Sequence, residues 1–395
     1  MPLTLLFDLD DTLLNTNLEA FLPAYFQALS SHMAQYAPPN VMLRALLAGT
    51  HMMTESEDPT RTLQDVFEAY YYPGIGISKG ELSATLEQFY DEVFPTLGDR
   101  TSPRPEAVPL IEWALSNGFR VAIATDPLFP RKATHHRLRW AGLDPERFEL
   151  ISTFENFHFS KTHPAYYAEV LGQLGWPDGP ILMVGNDAKR DILPAHRLGL
   201  KTYLVDGESA SSPGPEAGRG KLADLRPWLE SVDHSTLEPS FKSPDAILGI
   251  IQATPAVLGV LTSALTPEQW QVEPGREDWA MNEIVCHLRD TEREIHQVQI
   301  DLMLKKEDAF IPRPDTSVWA SERDYLQVDG CTASSGFVAA RLETLQRLQN
   351  LNEAIWSRRA RHAIFGPTNF LEVMGFIADH DRMHIQQAWK TIQSL

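Results

Sequence analysis

The chain has 395 residues, 43% apolar and 22% charged, an ordinary globular balance that is too long for one typical core, so two domains are expected. Its 34 basic and 53 acidic residues leave a net charge of −19, which argues against general binding to nucleic acid or an anionic membrane but allows a locally cationic site for a small phosphorylated substrate. Two cysteines, Cys286 and Cys331, make no disulfide framework, the first residues carry no signal-like pattern, and no apolar run reaches the roughly 18 residues of a membrane span, so the expectation is a cytoplasmic protein.

In chain order, short apolar runs at 3–7, 121–124, 148–152, 181–184 and 202–205 have the length of strands, and helical patterns such as 106–116 and 131–141 lie between them. Continuous apolar strands alternating with helices predict a doubly wound α/β domain, a parallel sheet covered on both faces. Between 15 and 105 the strand signal disappears, and aromatic residues recur at helical spacing in "LEAFLPAYFQAL" and "LEQFYDEVF", which predicts an inserted helical cap. "GESASSPGPEAGRGK" at 207–221 reads as loop. From 236 the chain reads as a separate all-α four-helix bundle, with helices at 245–264, 279–304, 335–358 and 368–392 and a long crossover between the second and third.

In such sheets ligands bind beyond the carboxyl ends of the strands. The first strand ends in "DLDDT", with Asp8, Asp10 and Asp11; the second ends at Thr125; Lys161 lies in "SKTHPAYY"; and "ILMVGNDAKRD" places Asp187 and Asp191 four apart. Carboxylates there are often only turn or cap residues. The ordered set, however, suits phosphoryl transfer, in which a carboxylate attacks phosphorus, a cation offsets the repulsion, and hydroxyl and ammonium groups hold the remaining oxygens. These residues resemble the motifs of the haloacid dehalogenase-like hydrolase superfamily over about 1–235. The resemblance implies Asp8 as nucleophile, Asp10 as general acid/base, Thr125 and Lys161 as phosphate-binding groups, and Asp8, Asp10, Asp187 and Asp191 around Mg²⁺. Gly185-Asn186-Asp187 leaves the register ambiguous by one residue, and Asp187 is taken over Asn186 because a carboxylate binds Mg²⁺ better than an amide. His51, His135 and His136 are read as surface histidines.

On the last helix His380 and His384 lie four apart with Val373, Ile377 and Ala388, and on the second helix His287 shares a face with Ile284 and Thr291. All three imidazoles are expected to face the bundle core. "DWAMNEIVCHLRDTERE", "SVWASERDY" and "ADHDRMHIQQ" resemble the DinB-like, YfiT-like metal-binding bundles, and the resemblance implies Zn²⁺ or Ni²⁺ on His287, His380 and His384, with Asp290, Glu294 or Asp379 orienting the rings. The whole therefore reads as a Mg²⁺-dependent phosphatase acting on a small phosphorylated metabolite, fused to a metal-binding bundle. The rival readings are a phosphomutase, and a bundle that serves only for binding or homodimerisation.

Overall fold

Four of the five apolar runs form strands of one sheet: β1 Thr4–Phe7, β2 Arg120–Ile123, β3 Ile181–Gly185 and β4 Lys201–Val205. The computed structural model describes residues 2–206, 214–275, 278–349 and 351–395. A fifth strand, β5 Gly218–Gly220, completes the order β2-β1-β3-β4-β5, and every pairing is parallel. The expected strand at 148–152 is reduced to a single bridge, Ile151 to Ile123, although Ser152 N still donates to Ile123 O at 3.0 Å. Of the loop expected at 207–221, residues 207–213 lie outside the described residues, and part of the rest, 218–220, is strand rather than loop. The reason is packing: a β-carbon at Gly218 would meet the Trp228 and Tyr203 rings at 2.7 and 2.8 Å, so the glycines let this edge lie close beneath them.

β1 to β4 are almost wholly buried, as apolar strands covered on both faces should be. The 15–105 interval is helical as expected. It contains Leu18–His32, Pro39–Thr54, Leu63–Ile75 and Lys79–Gln88, followed by a π turn and a 3₁₀ turn. Phe21, Tyr25, Phe89 and Phe94 form its core. The insertion begins and ends at one place, where Leu14–Asn15 pairs antiparallel with Ser102–Pro103.

The chain divides into two compact units, Met1–Val170 with Asp178–Pro239, and Leu171–Pro177 with Ser240–Leu395. In the second unit Pro244–Thr262 packs on Phe370–Gln393, and Met281–Thr291 packs on Gly330–Leu348. The second helix runs on through a π turn, Glu292–His296, into Gln297–Lys305. The third helix stops at Leu348, ten residues short of expectation. The chain there turns into Arg359–His362 and Gly366–Asn369, which form a small sheet with Ala309–Ile311. By length and composition alone Pro244–Thr262 could cross a membrane, although Gln252 and Thr254 interrupt its apolar run, and 67% of its apolar window is buried inside the structure.

Candidate active site and candidate metal centre

The β-register aligns Phe7 with Ile123 and Val184, so the residues that follow these three strands emerge together at one sheet edge. There the Asp8 carboxylate accepts from Thr12 Oγ1 at 2.9 Å and from Lys161 Nζ at 2.7 Å. Lys161 also pairs with Asp191, so one buried ammonium bridges two buried carboxylates. Burial opposes the lysine charge, but Asp191 and Asp8 outweigh it and hold the Lys161 pKa well above its ordinary value. Burial, with the Asp8 charge behind it, pushes Asp191 up to about 7 even against Lys161. A β-carbon at Gly185 would collide with the Asp191 carboxylate, which accounts for glycine at the end of β3. Thr125 is buried, and its carbonyl accepts from Ser152 Oγ at 2.6 Å and Tyr166 Oη at 2.8 Å, which fixes the turn it stands on.

Asp10 and Asp11 divide the remaining roles of the cluster. Asp10 accepts from Thr16 Oγ1 at 2.7 Å and pairs with the buried Arg137 of the Arg131–Trp140 helix. Burial raises the Asp10 pKa, and Arg137 opposes that rise. Arg137 is itself held by Thr134 Oγ1 at 3.1 Å and by the Phe129 ring, 4.4 Å from its guanidinium carbon. Asp11 is a turn residue: its φ is 57°, and one of its oxygens accepts from the backbone N–H groups of Thr16 and Asn17 at 2.9 and 3.0 Å.

The register choice at 186/187 differs in the structure. Asp187 caps the following turn, accepting from Lys189 N at 2.7 Å and Arg190 N at 3.2 Å. Asn186 faces the nucleophile position instead: its Oδ1 accepts from Thr12 Oγ1 at 3.2 Å, the same hydroxyl that donates to Asp8. The Asp191 carboxylate is thus linked to Asp8 through Lys161, and the Asn186 amide oxygen is linked to it through Thr12. A set of oxygens already gathered round a bridging cation suits Mg²⁺. Above them opens a cavity of about 490 Å³ whose floor includes Asp8, Asp10, Thr125 and Lys161, and His51, His135 and His136 do not line it. Arg137 and Thr12 were missed in the sequence, and Asn186 was weighed there but passed over; Arg137 is one of three arginines in its helix, and helical spacing alone does not single it out.

In the second unit His287, His380 and His384 converge, each offering a ring nitrogen within 4.8 Å of the other two. His287 Nε2 and His380 Nε2 are 3.1 Å apart. Two imidazole nitrogens on one tetrahedral ion at about 2.05 Å stand about 3.3 Å apart, so the donors fit a transition metal. Burial, then the neighbouring imidazoles, lower His287 to about 2 and His384 to about 3, and burial lowers His380, so the rings are neutral, as ligation requires. His384 Nδ1 is fixed by Gln387 Oε1 at 2.9 Å and its ring lies parallel to Trp279, with centroids 5.8 Å apart. Nδ1 of His287 and of His380 is buried without a hydrogen-bond partner among the described residues.

The carboxylates expected beside these rings point elsewhere. Asp290 binds Arg289, Arg323 and Tyr325, Glu294 binds Arg323, and Asp379 binds Arg382. Two fully buried carboxylates, Glu292 and Asp381, are both paired with a fully buried Arg341. Asp381 lies 3.9 Å from His380 Nδ1, and Glu292 holds His296 Nδ1 at 3.0 Å.

A family model described as haloacid dehalogenase-like hydrolase matches residues 3–199, and one for the DinB superfamily matches residues 250–388. Among curated proteins, "Pyrophosphatase PpaX" of Bacillus cereus is 25% identical over 237 residues, 59% of this chain and 98% of that protein. The Bacillus pumilus protein of the same name is 29% identical over 228 residues, covering 56% and 94%. Among solved structures, a HAD phosphatase from Thermococcus onnurineus is 20% identical with a TM-score of 0.39, covering 58% of this chain and 98% of that one. YfiT from Bacillus subtilis, a four-helix bundle, is 18% identical with a TM-score of 0.36, covering 39% and 88%.

Proposed function

We propose, from the match of residues 3–199 to the haloacid dehalogenase-like hydrolase model and of residues 250–388 to the DinB superfamily model, that the first unit is a Mg²⁺-dependent phosphatase working through Asp8 and that the bundle carries one transition metal. The observation that carries the first reading is the Asp8 carboxylate poised at the sheet edge between the Thr12 hydroxyl and the Lys161 ammonium, with Asp10 two residues on. Asp8 attacks phosphorus and the ester P–O bond breaks. Asp10 gives the departing alkoxide its proton, then takes one from water as that water cleaves the aspartyl-phosphate, so one ester and one water yield one alcohol and one phosphate. Thr125 and Lys161 hold the phosphoryl oxygens, and Arg137 and Thr16 hold the Asp10 carboxylate in line. Mg²⁺, when bound by Asp8, Asp191, the Asp10 carbonyl and Asn186, neutralises charge between nucleophile and phosphate.

In the bundle, His287, His380 and His384 would hold Zn²⁺ or Ni²⁺, both suited to imidazole. Asp8→Asn is the test of the phosphatase. Release of inorganic phosphate should fall by a factor on the order of 10³ or more while the circular-dichroism spectrum is kept. Turnover near that of the native protein would overturn the role of Asp8.

A further inference from the structure

The cavity above Asp8 bears on the chemistry of the leaving alcohol, an argument that rests on the phosphatase reading. Away from its floor the wall is mostly apolar and aromatic, including Phe26, Leu29, Leu46, Phe67, Leu128 and Phe129, with Thr50, Thr54, Gln64 and Ser83 between them. Phe67 and Tyr71 are stacked into a shelf with ring centroids 4.9 Å apart. The charged groups of the wall are already committed to one another. Glu68 is held by Lys79 at 2.7 Å and by Gln64 Nε2 at 2.7 Å, and Lys132 is held by Glu87 and Asp91. Arg137 is paired with Asp10, and Arg190 faces Asp126 at 3.5 Å. Every lining cation among the described residues, Lys161 included, already faces a carboxylate, so a second phosphate or a carboxylate on the substrate would have to displace one.

The size points the same way. At about 490 Å³ the cavity lies within the ~300–1,000 Å³ that usually encloses a drug-sized ligand, far more than a pyrophosphate fills. Apolar walls gain from apolar contact in proportion to the area they cover. From these walls, this volume and the committed cations, we infer that the substrate is the phosphate monoester of a hydrophobic alcohol, aryl or long-chain, rather than a diphosphate, a phosphorylated acid or a sugar phosphate. Phosphate sits on the Asp8 floor, and the apolar group lies along the Phe67–Tyr71 shelf. Tyr71 adds one polar feature, a buried hydroxyl with no hydrogen-bond partner in the described residues.

The test is phosphate release by the full-length protein with Mg²⁺ from ethyl, butyl, hexyl and octyl phosphate and 1-naphthyl phosphate, set beside phosphoglycolate, glucose 6-phosphate and pyrophosphate. The expected result is a kcat/KM that climbs along the alkyl series by up to about fourfold for each methylene the wall covers, with octyl and naphthyl phosphate above all three polar compounds. Leu47, a wall residue that is 50% exposed, tolerates a polar replacement, and Leu47→Asp should lower the octyl-to-ethyl ratio of kcat/KM several-fold. A flat alkyl series with measurable turnover, or a preference for the polar compounds, overturns the hydrophobic substrate and leaves the phosphatase standing. No phosphate release from any compound overturns the phosphatase itself and the substrate class with it.

Discussion

Arg341→Met removes a cation buried between two carboxylates in the bundle. The guanidinium donates to Glu292 at 3.0 and 2.8 Å, to Asp381 through both terminal nitrogens, and to Ile251 O at 2.9 Å, and all three side chains are fully buried. Arg341 holds Glu292 at about 2 although burial pushes the other way. Methionine fills a similar volume but leaves two carboxylates to be protonated or desolvated unpaired, a loss of about 3–5 kcal/mol. At 2–4 °C per kcal/mol this predicts that the bundle transition in calorimetry moves down by roughly 6–20 °C. The pH dependence has a definite sign. The folded pKa of Glu292 lies below its ordinary 4.5, so the contribution is complete above about 4.5 and disappears as pH falls towards about 2. The deficit of the variant should therefore be full at pH 7 and shrink in acid. A deficit under about 1 kcal/mol at pH 7, or one that grows as pH falls from 5 to 3, would refute the account.

Asn186→Asp places a carboxylate where the amide oxygen now stands and should tighten Mg²⁺ binding about tenfold in calorimetric titration, whereas Asp187→Asn, which alters only a cap, should leave it nearly unchanged. The reverse ranking would return the metal position to Asp187. His384→Ala should strip most of the transition metal seen by elemental analysis after dialysis while phosphate release persists, because the triad and Asp8 belong to different units. Equal metal content in native and variant protein would remove the triad from consideration.

The sheet and the Asp8 edge were legible because buried parallel strands need continuous apolar runs, and few other arrangements end several such runs in carboxylate, threonine and lysine. The choice between Asn186 and Asp187 was not legible. It depends on a π turn at Ala188–Ile192, whose start consumes the Asp187 carboxylate as a cap. A second π turn, Glu292–His296, had a similar effect in the bundle. It adds a residue to the local repeat beyond Glu292. Asp290 and Glu292, which precede the added residue, are buried, while Glu294 meets Arg323 at the surface. The convergence of the three histidines was legible because His380 and His384 lie on one uninterrupted helix and His287 precedes the π turn. The hairpin after Leu348 was hidden because Arg359–His362 buries only alternate residues, too short a pattern to stand out from a helix end.

The pairing of Leu14–Asn15 with Ser102–Pro103 brings the entrance and exit of the helical insertion to within one strand spacing, about 4.8 Å. A segment whose two ends are neighbours can be exchanged for another of different length without displacing the strands on either side. Recombination at that pairing would carry away Tyr25, Phe67 and Tyr71, and leave Asp8, Thr125, Lys161 and Asp191 in their places on the sheet. Much of the cavity wall and the acidic end of the sheet are in this sense separately heritable, and a chimaera spliced at these four residues would inherit each from a different parent.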